Sequence, residues 1–311
     1  MNKILYIILI SLFSLTVISC AEKEESSSSS TTTTTSVLYV AVGSGGTILT
    51  SSDGTTWTSR TSGTSKTLNN VTHGNSIFVT VGYGGTILTS SDGTTWTSRT
   101  SGTTKRLWGV TYANSTFMVV GNGGTIYTSS DGTTWTSRTS GISNQLLGVT
   151  YGNSTFVTVG ESGTILTSPD NGTTWTSKTS GTIYQLFGVT YANSTFVTVG
   201  NSGTILTSSD NGTTWDNRTS GTTNYLYGVT YGNSTFVTVG DSGTILTSSD
   251  NGTTWTSRTS GTTNLLEGVT YGNSTFVTVG ESGTILTSSD GTTWTSRTSG
   301  TTNNVWGVTY K

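Results

Sequence analysis

A tryptophan recurs every 39 or 40 residues through most of this chain of 311 residues, always at the end of the same polar segment. The segment reads Ser-x-Asp-Gly-x-Thr-Trp or, with one extra residue, Ser-x-Asp-Asn-Gly-x-Thr-Trp. We call each copy an Asp turn. The seven copies end at Trp57, Trp96, Trp135, Trp175, Trp215, Trp255 and Trp294. Self-similarity at such a period indicates a repeat architecture, in which each unit is one supersecondary element.

The Asp turn predicts a tight bend followed by an aromatic anchor. Asp and Ser side chains bond to backbone amides a few residues on and hold the chain in a turn. Gly212 supplies a positive φ without steric cost. Thr213 and Thr214 then begin an extended segment, which suits β-branched residues. We therefore expect Trp215 to fold into the hydrophobic layer beside a hairpin.

Each repeat divides into four short extended segments. In the unit 188–221 they are 188–191, 196–199, 203–207 and 214–219. No helical periodicity occurs from residue 37 onward. In the second and third segments, the side chains that point to either side of the strand are apolar. Each small sheet should therefore be covered by other residues on both faces. This pattern predicts an all-β fold of four-stranded antiparallel blades that pack face to face around an axis.

The number of repeats predicts a closed ring. Segments of the first, second and third kinds each occur seven times, but the chain begins inside a unit and ends after a lone first segment. Pairing 307–310 with 38–42 would place both termini in one blade and remove the exposed edges. We predict a seven-bladed β-propeller over residues 37–311. A β-solenoid is the alternative, and it is disfavoured because solenoids have shorter coils and need terminal caps.

The repeat resembles a known group of propellers. Residues 208–215 match Ser-x-Asp-x-Gly-x-Thr-Trp, the Asp-box (BNR-type) motif of bacterial sialidase-type β-propellers. Over residues 199–215 the match extends to Val-Gly-x-x-Gly-Thr-Ile-Leu-x-Ser-x-Asp-x-Gly-x-Thr-Trp, the pattern of the photosystem II assembly-factor-like group of these propellers. Across residues 37–311 the chain is similar to the photosystem II assembly-factor-like repeat family. The resemblance implies the propeller fold. It does not imply one function, because enzymes and binding proteins share this fold.

The first 20 residues have the pattern of a secretion signal. Lys3 precedes an apolar run over 4–17, which is short for a membrane span. The segment Val17-Ile18-Ser19-Cys20 resembles the lipobox of bacterial lipoproteins. The resemblance implies a signal peptide over 1–19, cleavage before Cys20 and lipidation of that cysteine, the only one in the chain. An ordinary signal peptide is the alternative.

Residues 20–36 predict a tether. Five Ser and five Thr dominate it, and nothing in it can bury apolar area, so we expect disorder. Acyl chains on Cys20 would hold the protein on a membrane. By analogy with enteric bacteria, Ala21 favours the outer membrane. We therefore expect a lipid-anchored protein of the bacterial cell envelope, on the outer membrane or cell surface.

Charge and composition exclude several classes of function. The net charge is −2, so no basic field attracts nucleic acid. His73 is the only histidine and takes the place of a tyrosine in other repeats, so we interpret it as a packing residue. One His cannot supply a metal set or a catalytic triad. Each Asp turn offers one carboxylate and lacks the bidentate Glu of a calcium loop. We expect a monomer without a cofactor.

A cation follows each turn tryptophan by three residues. Sialidases bind a sugar carboxylate with three arginines, but residues i and i+3 of a strand face opposite sides. We interpret these cations as charges that protect edge strands. They are Arg60, Arg99, Arg138, Lys178, Arg218, Arg258 and Arg297. The remaining cations of the repeats, Lys66, Lys105 and Arg106, are expected in loops and do not reproduce the basic client-binding patch that the resemblance implies.

Two positions differ between repeats while the framework stays nearly identical. The first ring, expected just before the first strand, is Asn69, Trp108, Leu147, Phe187, Tyr227, Glu267 and Trp306. The second ring, after the second strand, is Ser44, Tyr83, Asn122, Glu161, Asn201, Asp241 and Glu281. In a four-stranded antiparallel blade both positions lie on one face. Aromatic side chains there suit sugar rings or peptide side chains, although drift at permissive loop positions is an alternative.

These observations favour a non-enzymatic, membrane-anchored module that binds a protein or a glycan through that face. A glycoside hydrolase of the sialidase or xyloglucanase kind is an alternative, and it would need two carboxylates at catalytic separation. A third possibility is an assembly or scaffold factor of the envelope. The candidates for a carboxylate pair are Glu161, Asp241, Glu267 and Glu281.

Overall fold

The chain folds into seven small sheets around a common axis. The computed structural model describes residues 36 and 38–311, whose regular elements are short strands and single 3₁₀ turns. Every sheet has four antiparallel strands, and we number the sheets as blades 1 to 7 in chain order. This is the predicted all-β, seven-bladed propeller. The predictions for the signal peptide, Cys20 and residues 21–35 lie outside the described residues.

The strands follow the repeat without exception. Blade 1 holds β28 (Val305–Tyr310), β1 (Tyr39–Gly43), β2 (Ile48–Ser51) and β3 (Thr58–Arg60). Blade 2 holds β4 (Leu68–Gly74), β5 (Ile77–Gly82), β6 (Ile87–Ser90) and β7 (Thr97–Arg99). Blade 3 holds β8 (Leu107–Ala113), β9 (Thr116–Gly121), β10 (Thr125–Ser129) and β11 (Thr136–Arg138). Blade 4 holds β12 (Leu146–Gly152), β13 (Thr155–Gly160), β14 (Ile165–Ser168) and β15 (Thr176–Lys178).

The remaining blades are built alike. Blade 5 holds β16 (Leu186–Ala192), β17 (Thr195–Gly200), β18 (Ile205–Ser208) and β19 (Asp216–Arg218). Blade 6 holds β20 (Leu226–Gly232), β21 (Thr235–Gly240), β22 (Ile245–Ser248) and β23 (Thr256–Arg258). Blade 7 holds β24 (Leu266–Gly272), β25 (Thr275–Gly280), β26 (Ile285–Ser288) and β27 (Thr295–Arg297). The 3₁₀ turns join the second and third strands of each blade, at Ser44–Gly46, Tyr83–Gly85, Asn122–Gly124, Glu161–Gly163, Asn201–Gly203, Asp241–Gly243 and Glu281–Gly283.

The two ends of the propeller close the ring within blade 1. Strand β28 pairs antiparallel with β1, with Tyr310 opposite Tyr39 and Gly307 opposite Val42. The innermost strand of every blade contacts that of the next, including β28 with both β24 and β4. The predicted closure is confirmed. It leaves no unpaired inner strand for a second chain to pair with.

The hydrophobic core lies between the blades. Between blades 4 and 5, Val157 and Val159 pack against Phe196, Leu206 and Trp215, and each of the other six interfaces repeats this cluster. The indole Nε1 of Trp215 donates to the carbonyl of its own Asp turn at 3.1 Å. That bond satisfies the one polar atom of the ring, so its apolar surface can be buried.

The Asp turn is held by its acidic side chain. In blade 5, Ser208 Oγ donates to Asp210 Oδ1 at 2.8 Å. The same oxygen accepts the backbone N–H of Thr213 at 3.1 Å and of Thr214 at 2.9 Å. Gly212 has φ 78°, as the predicted bend requires. The carboxylate is therefore engaged inside its own loop.

Some predicted boundaries were wrong by one or two residues. The first strand of blade 5 begins at Leu186 and not at Gly188, because Leu186 pairs with Gly200 and Gly188 pairs with Val199. Phe187 is the extra residue in this β-bulge. The first ring therefore lies inside the first strands and not before them. A bulge breaks the alternation of side chains, so the periodicity ended the predicted strand too early.

The described residues contain no helix that could span a membrane, since their only helical elements are three-residue turns.

The Asp turns should make the propeller sensitive to acid. Hydrogen bonds, chiefly from a threonine hydroxyl, lower the pKa of Asp170, Asp210 and Asp250 from 3.8 to about 2. The pKa values of the other four turn aspartates are lowered too. A pKa below the unfolded value means that the stabilisation is complete above about pH 4 and is lost as pH falls through the folded pKa.

We therefore expect the thermal midpoint to fall as the pH is lowered from 5 to 2, with a small contribution from each turn because the carboxylates are solvent-exposed. Asp210→Asn should reduce this dependence by about one part in seven, since one of seven turns is changed. Ser209→Ala, an exposed change in the same turn, is the control. Calorimetry across the pH series measures both. An acid dependence that Asp210→Asn leaves unaltered would contradict this view of the turn.

Candidate functional site

A cavity of about 590 Å³ opens on the axis, bounded by the innermost strands. The β-bulge directs one side chain per blade into it, whereas the preceding leucine or valine enters the core between blades. The structure brings the whole first ring together on its wall: Asn69, Trp108, Leu147, Phe187, Tyr227, Glu267 and Trp306. The rest of the wall is largely glycine and valine from the same strands.

A glycine after the ring residue sets how closely the inner strands approach. A Cβ atom on Gly188 would lie 2.5 Å from the carbonyl oxygen of Tyr227 in the next blade, and Gly148 and Gly228 face their neighbours in the same way. Any side chain there would force the blades apart. These glycines hold the first-ring residues of adjacent blades next to one another around the cavity.

The second ring lies beside the first, at the end of each blade where the second and third strands are joined. Its residues begin the seven 3₁₀ turns, and two of their side chains bond to first-ring residues. The indole of Trp108 donates to Asn122 Oδ1 at 2.6 Å, and that of Trp306 donates to Ser44 Oγ at 2.9 Å. Tyr83, Glu161, Asn201, Asp241 and Glu281 occupy the equivalent positions in the other blades. The two rings therefore lie on one face.

A third ring of differing residues was missed by the sequence analysis. It lies two positions before the first ring, and side chains at i and i+2 of an extended segment point the same way. It comprises Thr67, Arg106, Gln145, Gln185, Tyr225, Leu265 and Asn304. Arg106, Gln185 and Leu265 line the cavity. The sequence could have revealed this ring, because its residues also differ from repeat to repeat. Arg106 lies in the loop before β8, as predicted, but its place on the cavity wall was missed.

Arg106 is fixed by its neighbours on the cavity wall. Its guanidinium carbon lies 3.5 Å from the centroid of the Trp108 ring, and its Nη2 donates to Asn69 Oδ1 at 2.7 Å. Asn69 in turn donates to the carbonyl of Leu107 at 2.6 Å. A stacked, hydrogen-bonded guanidinium keeps its charge at one place. Blade 3 therefore presents a held cation to the cavity.

The opposite side of the cavity is acidic. Burial raises the pKa of the Glu267 carboxyl to about 8; the charge of Asp241 adds to the rise, and that of Arg106 opposes it. Burial also raises the pKa of the Tyr227 hydroxyl, again with a contribution from Asp241. In a ring of seven blades, blade 3 lies across the axis from blades 6 and 7. The cavity wall therefore carries a guanidinium on one side and, on the other, a carboxyl group that is mostly protonated at neutral pH.

An aromatic cluster extends from the cavity onto the face. The ring centroids of Phe187 and Tyr227 are 4.8 Å apart, and Tyr225 lies 6.4 Å from Phe187. In the loop before β16, Ile183 is 84% exposed and Tyr184 is 47% exposed. Of the four large apolar side chains that are exposed in the described part of the chain, three therefore lie in the loops before β16 and β20: Ile183, Tyr184 and Tyr225.

The cations of the outermost strands take no part in this site. The Nε of Arg218 donates to Thr207 Oγ1 of the neighbouring strand at 2.8 Å, and the other five arginines of this set make the same bond. Each lies on the outer strand of a different blade, as does Lys178. The structure does not bring them together.

His73 packs as its tyrosine counterparts do. Its ring centroid lies 4.6 Å from that of Phe78, and the Tyr112 centroid lies 4.5 Å from that of Phe117. Burial lowers the pKa of His73. Across residues 36 and 38–311, no group of three or more His, Cys, Asp or Glu side chains is placed to hold a metal ion.

The electrostatic coupling between Arg106 and Glu267 can be tested through the pKa of Glu267. Replacing Arg106 with Gln, which blades 4 and 5 carry at this position, removes the positive charge that favours the ionised carboxyl. We expect the pKa of Glu267 to rise further above about 8, by roughly half to one pH unit at low salt. Carboxyl carbon NMR of labelled protein would measure it.

Arg99→Gln, on the outer strand β7, is the matched control and should leave the Glu267 titration in place. A Glu267 pKa that stays the same in Arg106→Gln would show that the two groups do not share one cavity field.

Comparison with known proteins agrees with this architecture. A family described as "DUF6242 beta propeller domain" matches residues 71–187. A solved structure of YCF48 bound to D1 peptide has 19% sequence identity and a TM-score of 0.60, covering 74% of this chain and 80% of that one. YCF48 from Cyanidioschyzon merolae has 16% identity and a TM-score of 0.61, covering 77% and 88%.

A computationally designed protein, Ika8, shares the fold as well. It has 12% identity and a TM-score of 0.61, covering 87% of this chain and 96% of its own. No curated protein sequence matches the chain. Identities this low establish the fold alone. The chain is a seven-bladed β-propeller that resembles the photosystem II assembly-factor-like propellers, as its repeat predicted.

Proposed function

We propose that this protein is a non-enzymatic binding module that engages a protein partner through the cavity face. We further propose that lipidated Cys20 holds it on a bacterial membrane, at the outer membrane or cell surface, with residues 21–36 as a tether. The face is the one that carries the three rings.

The proposal rests on where the repeats differ from one another. The framework of each blade repeats almost unchanged, for example Thr-Phe-Val-Thr-Val-Gly at 195–200, 235–240 and 275–280. Blades with the same framework make the same structural demands. Side chains that differ between such blades are therefore not dictated by the fold. Because these differences gather around one cavity, they favour recognition over drift.

The chemistry of the face favours a polypeptide partner. Aromatic side chains, one held cation and several carboxyl groups lie within one surface, and aromatic residues and arginine are the commonest anchors of protein interfaces. YCF48, a propeller of similar fold, is known in a structure bound to D1 peptide. A glycan is the second ligand class to test, since the same aromatic rings could stack on sugars.

A glycoside hydrolase is the second candidate, on one specific observation. Glu267 has a pKa of about 8 and lies close enough to Asp241 for its charge to contribute to that value, and a protonated acid beside a carboxylate is the pair that such hydrolysis uses. Of the two, only Glu267 lines the cavity. For that reason we favour binding. An assembly or scaffold role in the envelope would be one form of binding, which pull-down from membranes can identify.

Loss of the two first-ring tryptophans should weaken recognition. Trp108→Leu with Trp306→Leu keeps apolar side chains, and blade 4 already carries Leu147 at this position. We expect binding to weaken at least tenfold, because aromatic anchors supply most of the affinity of an interface. Protein and glycan arrays probed with the full-length protein measure the change and distinguish the two ligand classes.

Ser209→Ala with Ser249→Ala, exposed changes in two Asp turns, is the control and should bind as the unchanged protein does. Binding that survives the tryptophan changes would contradict the proposed face. Turnover of a fluorogenic glycoside that Glu267→Gln stops would replace the proposal with the hydrolase.

The anchor has its own test. Cys20→Ser removes the sulfur that would carry the lipid, so the protein should move from the membrane fraction to the soluble fraction and lose labelling by radioactive palmitate. Ser36→Ala is the control. Equal membrane association of both variants would favour an ordinary signal peptide.

A further inference from the structure

Glu267, which lines the cavity, lies between two aromatic residues in the order of the first ring. Tyr227, Glu267 and Trp306 are the first-ring residues of three consecutive blades. A Cβ on Gly228 would lie 2.6 Å from the carbonyl of Glu267, and one on Gly268 would lie 2.7 Å from that of Trp306. All three residues line the cavity, on inner strands that follow one another around its wall.

The Glu267 carboxyl lacks a cation of its own. In the part of the chain that the structure describes, the only ion pair within 4.0 Å joins Arg218 to Asp216. Arg106 acts on Glu267 only from a distance, because its guanidinium is stacked on Trp108 and bonded to Asn69. The position between the two aromatic rings is therefore open to a cation from outside.

The electrostatics of this position favour a positive charge. The groups whose charges act on Glu267 are Asp241, which raises its pKa, and Arg106, which lowers it; the Tyr227 hydroxyl lies in the same field. The ionised form of the Glu267 carboxyl is stabilised when a cation approaches it. The faces of Tyr and Trp rings attract the same charge.

We propose that an alkylammonium group binds in the cavity against Glu267, between Tyr227 and Trp306, and that it belongs to a lysine side chain of the protein partner. The identification of lysine rests on the proposed function. A cavity of about 590 Å³ admits a lysine side chain, whose four methylene groups suit the valine and Phe187 wall. A planar guanidinium stacks on one ring, as Arg106 does on Trp108, whereas the compact ammonium is a point charge with three donors that can approach a carboxyl group and two flanking rings together.

The binding should depend on pH. Glu267, with a pKa of about 8, is mostly protonated at pH 7 in the free protein. The ammonium favours the ionised form, so its binding releases a proton at pH 7. Between pH 7 and 9 the ionised fraction rises from roughly one-tenth to roughly nine-tenths, and we expect affinity to rise roughly tenfold. Above about pH 10 the ammonium itself loses its proton, and affinity should fall again.

The probe is n-butylammonium, titrated into the full-length protein by calorimetry in buffers of different ionisation enthalpy. We expect saturable binding with proton release at pH 7, and weaker or no binding of propylguanidinium and of butyrate. N-acetyl-lysine methylamide should bind where N-acetyl-norleucine methylamide does not. Stronger binding of the guanidinium would overturn the assignment to lysine, and stronger binding of butyrate would overturn the cation site.

Two variants of Glu267 and one control locate the site. Glu267→Gln should lose at least tenfold in affinity for n-butylammonium, together with its pH dependence and its proton release. Glu267→Leu, which places the residue of blade 4 in blade 7, should do the same and guards against a folding defect. Asp216→Asn, which removes an exposed carboxyl group from the outer strand of blade 5, should bind normally. Unchanged n-butylammonium binding in both Glu267 variants overturns the proposal.

The two proposals fail separately. If no partner binds the face, or if the tryptophan changes leave partner binding intact, the proposed function fails while the n-butylammonium titration can still succeed. If a partner binds and depends on the tryptophans, but n-butylammonium does not bind, the ammonium site fails alone.

Discussion

Packing between blades is the interaction on which this molecule depends. No single blade of four short strands could bury its two apolar faces, so each blade is stabilised only by its neighbours, through clusters such as Val157 and Val159 against Phe196 and Trp215. Such packing is complete only when the last blade meets the first, which the pairing of β28 with β1 achieves. Ring closure is therefore required for a complete core between the blades.

Closure also concentrates the differences between repeats. Equivalent positions of seven blades become neighbours around one axis, and the glycine that follows most first-ring residues lets them approach closely. A change at a first-ring position therefore alters one side of a shared cavity and leaves the core between blades in place. This is how a nearly uniform scaffold can present Arg106 on one side and Glu267 on the other. The proposed recognition of a partner needs only these differences.

Much of the fold could be predicted from the sequence, because the period of a repeat indicates the kind of architecture that it forms. The spacing of the turn tryptophans and the split first blade were enough to predict seven closed blades, and the Asp turn follows from the chemistry of Ser208, Asp210 and Gly212. The site was predicted only in part. The β-bulge at Phe187 shifts the register, and alternation alone cannot show such a shift. The setting of Glu267 depends on groups in other blades, so nothing near it in the chain reveals its raised pKa.

The claim that recognition uses the cavity face can be tested directly in the cells that produce the protein. A photo-crosslinking benzoylphenylalanine at Tyr83, a second-ring residue that is 59% exposed, should form covalent adducts with the partner. The same group at Ser209, exposed in an Asp turn, should form none. Adducts at Ser209 with none at Tyr83 would contradict the account.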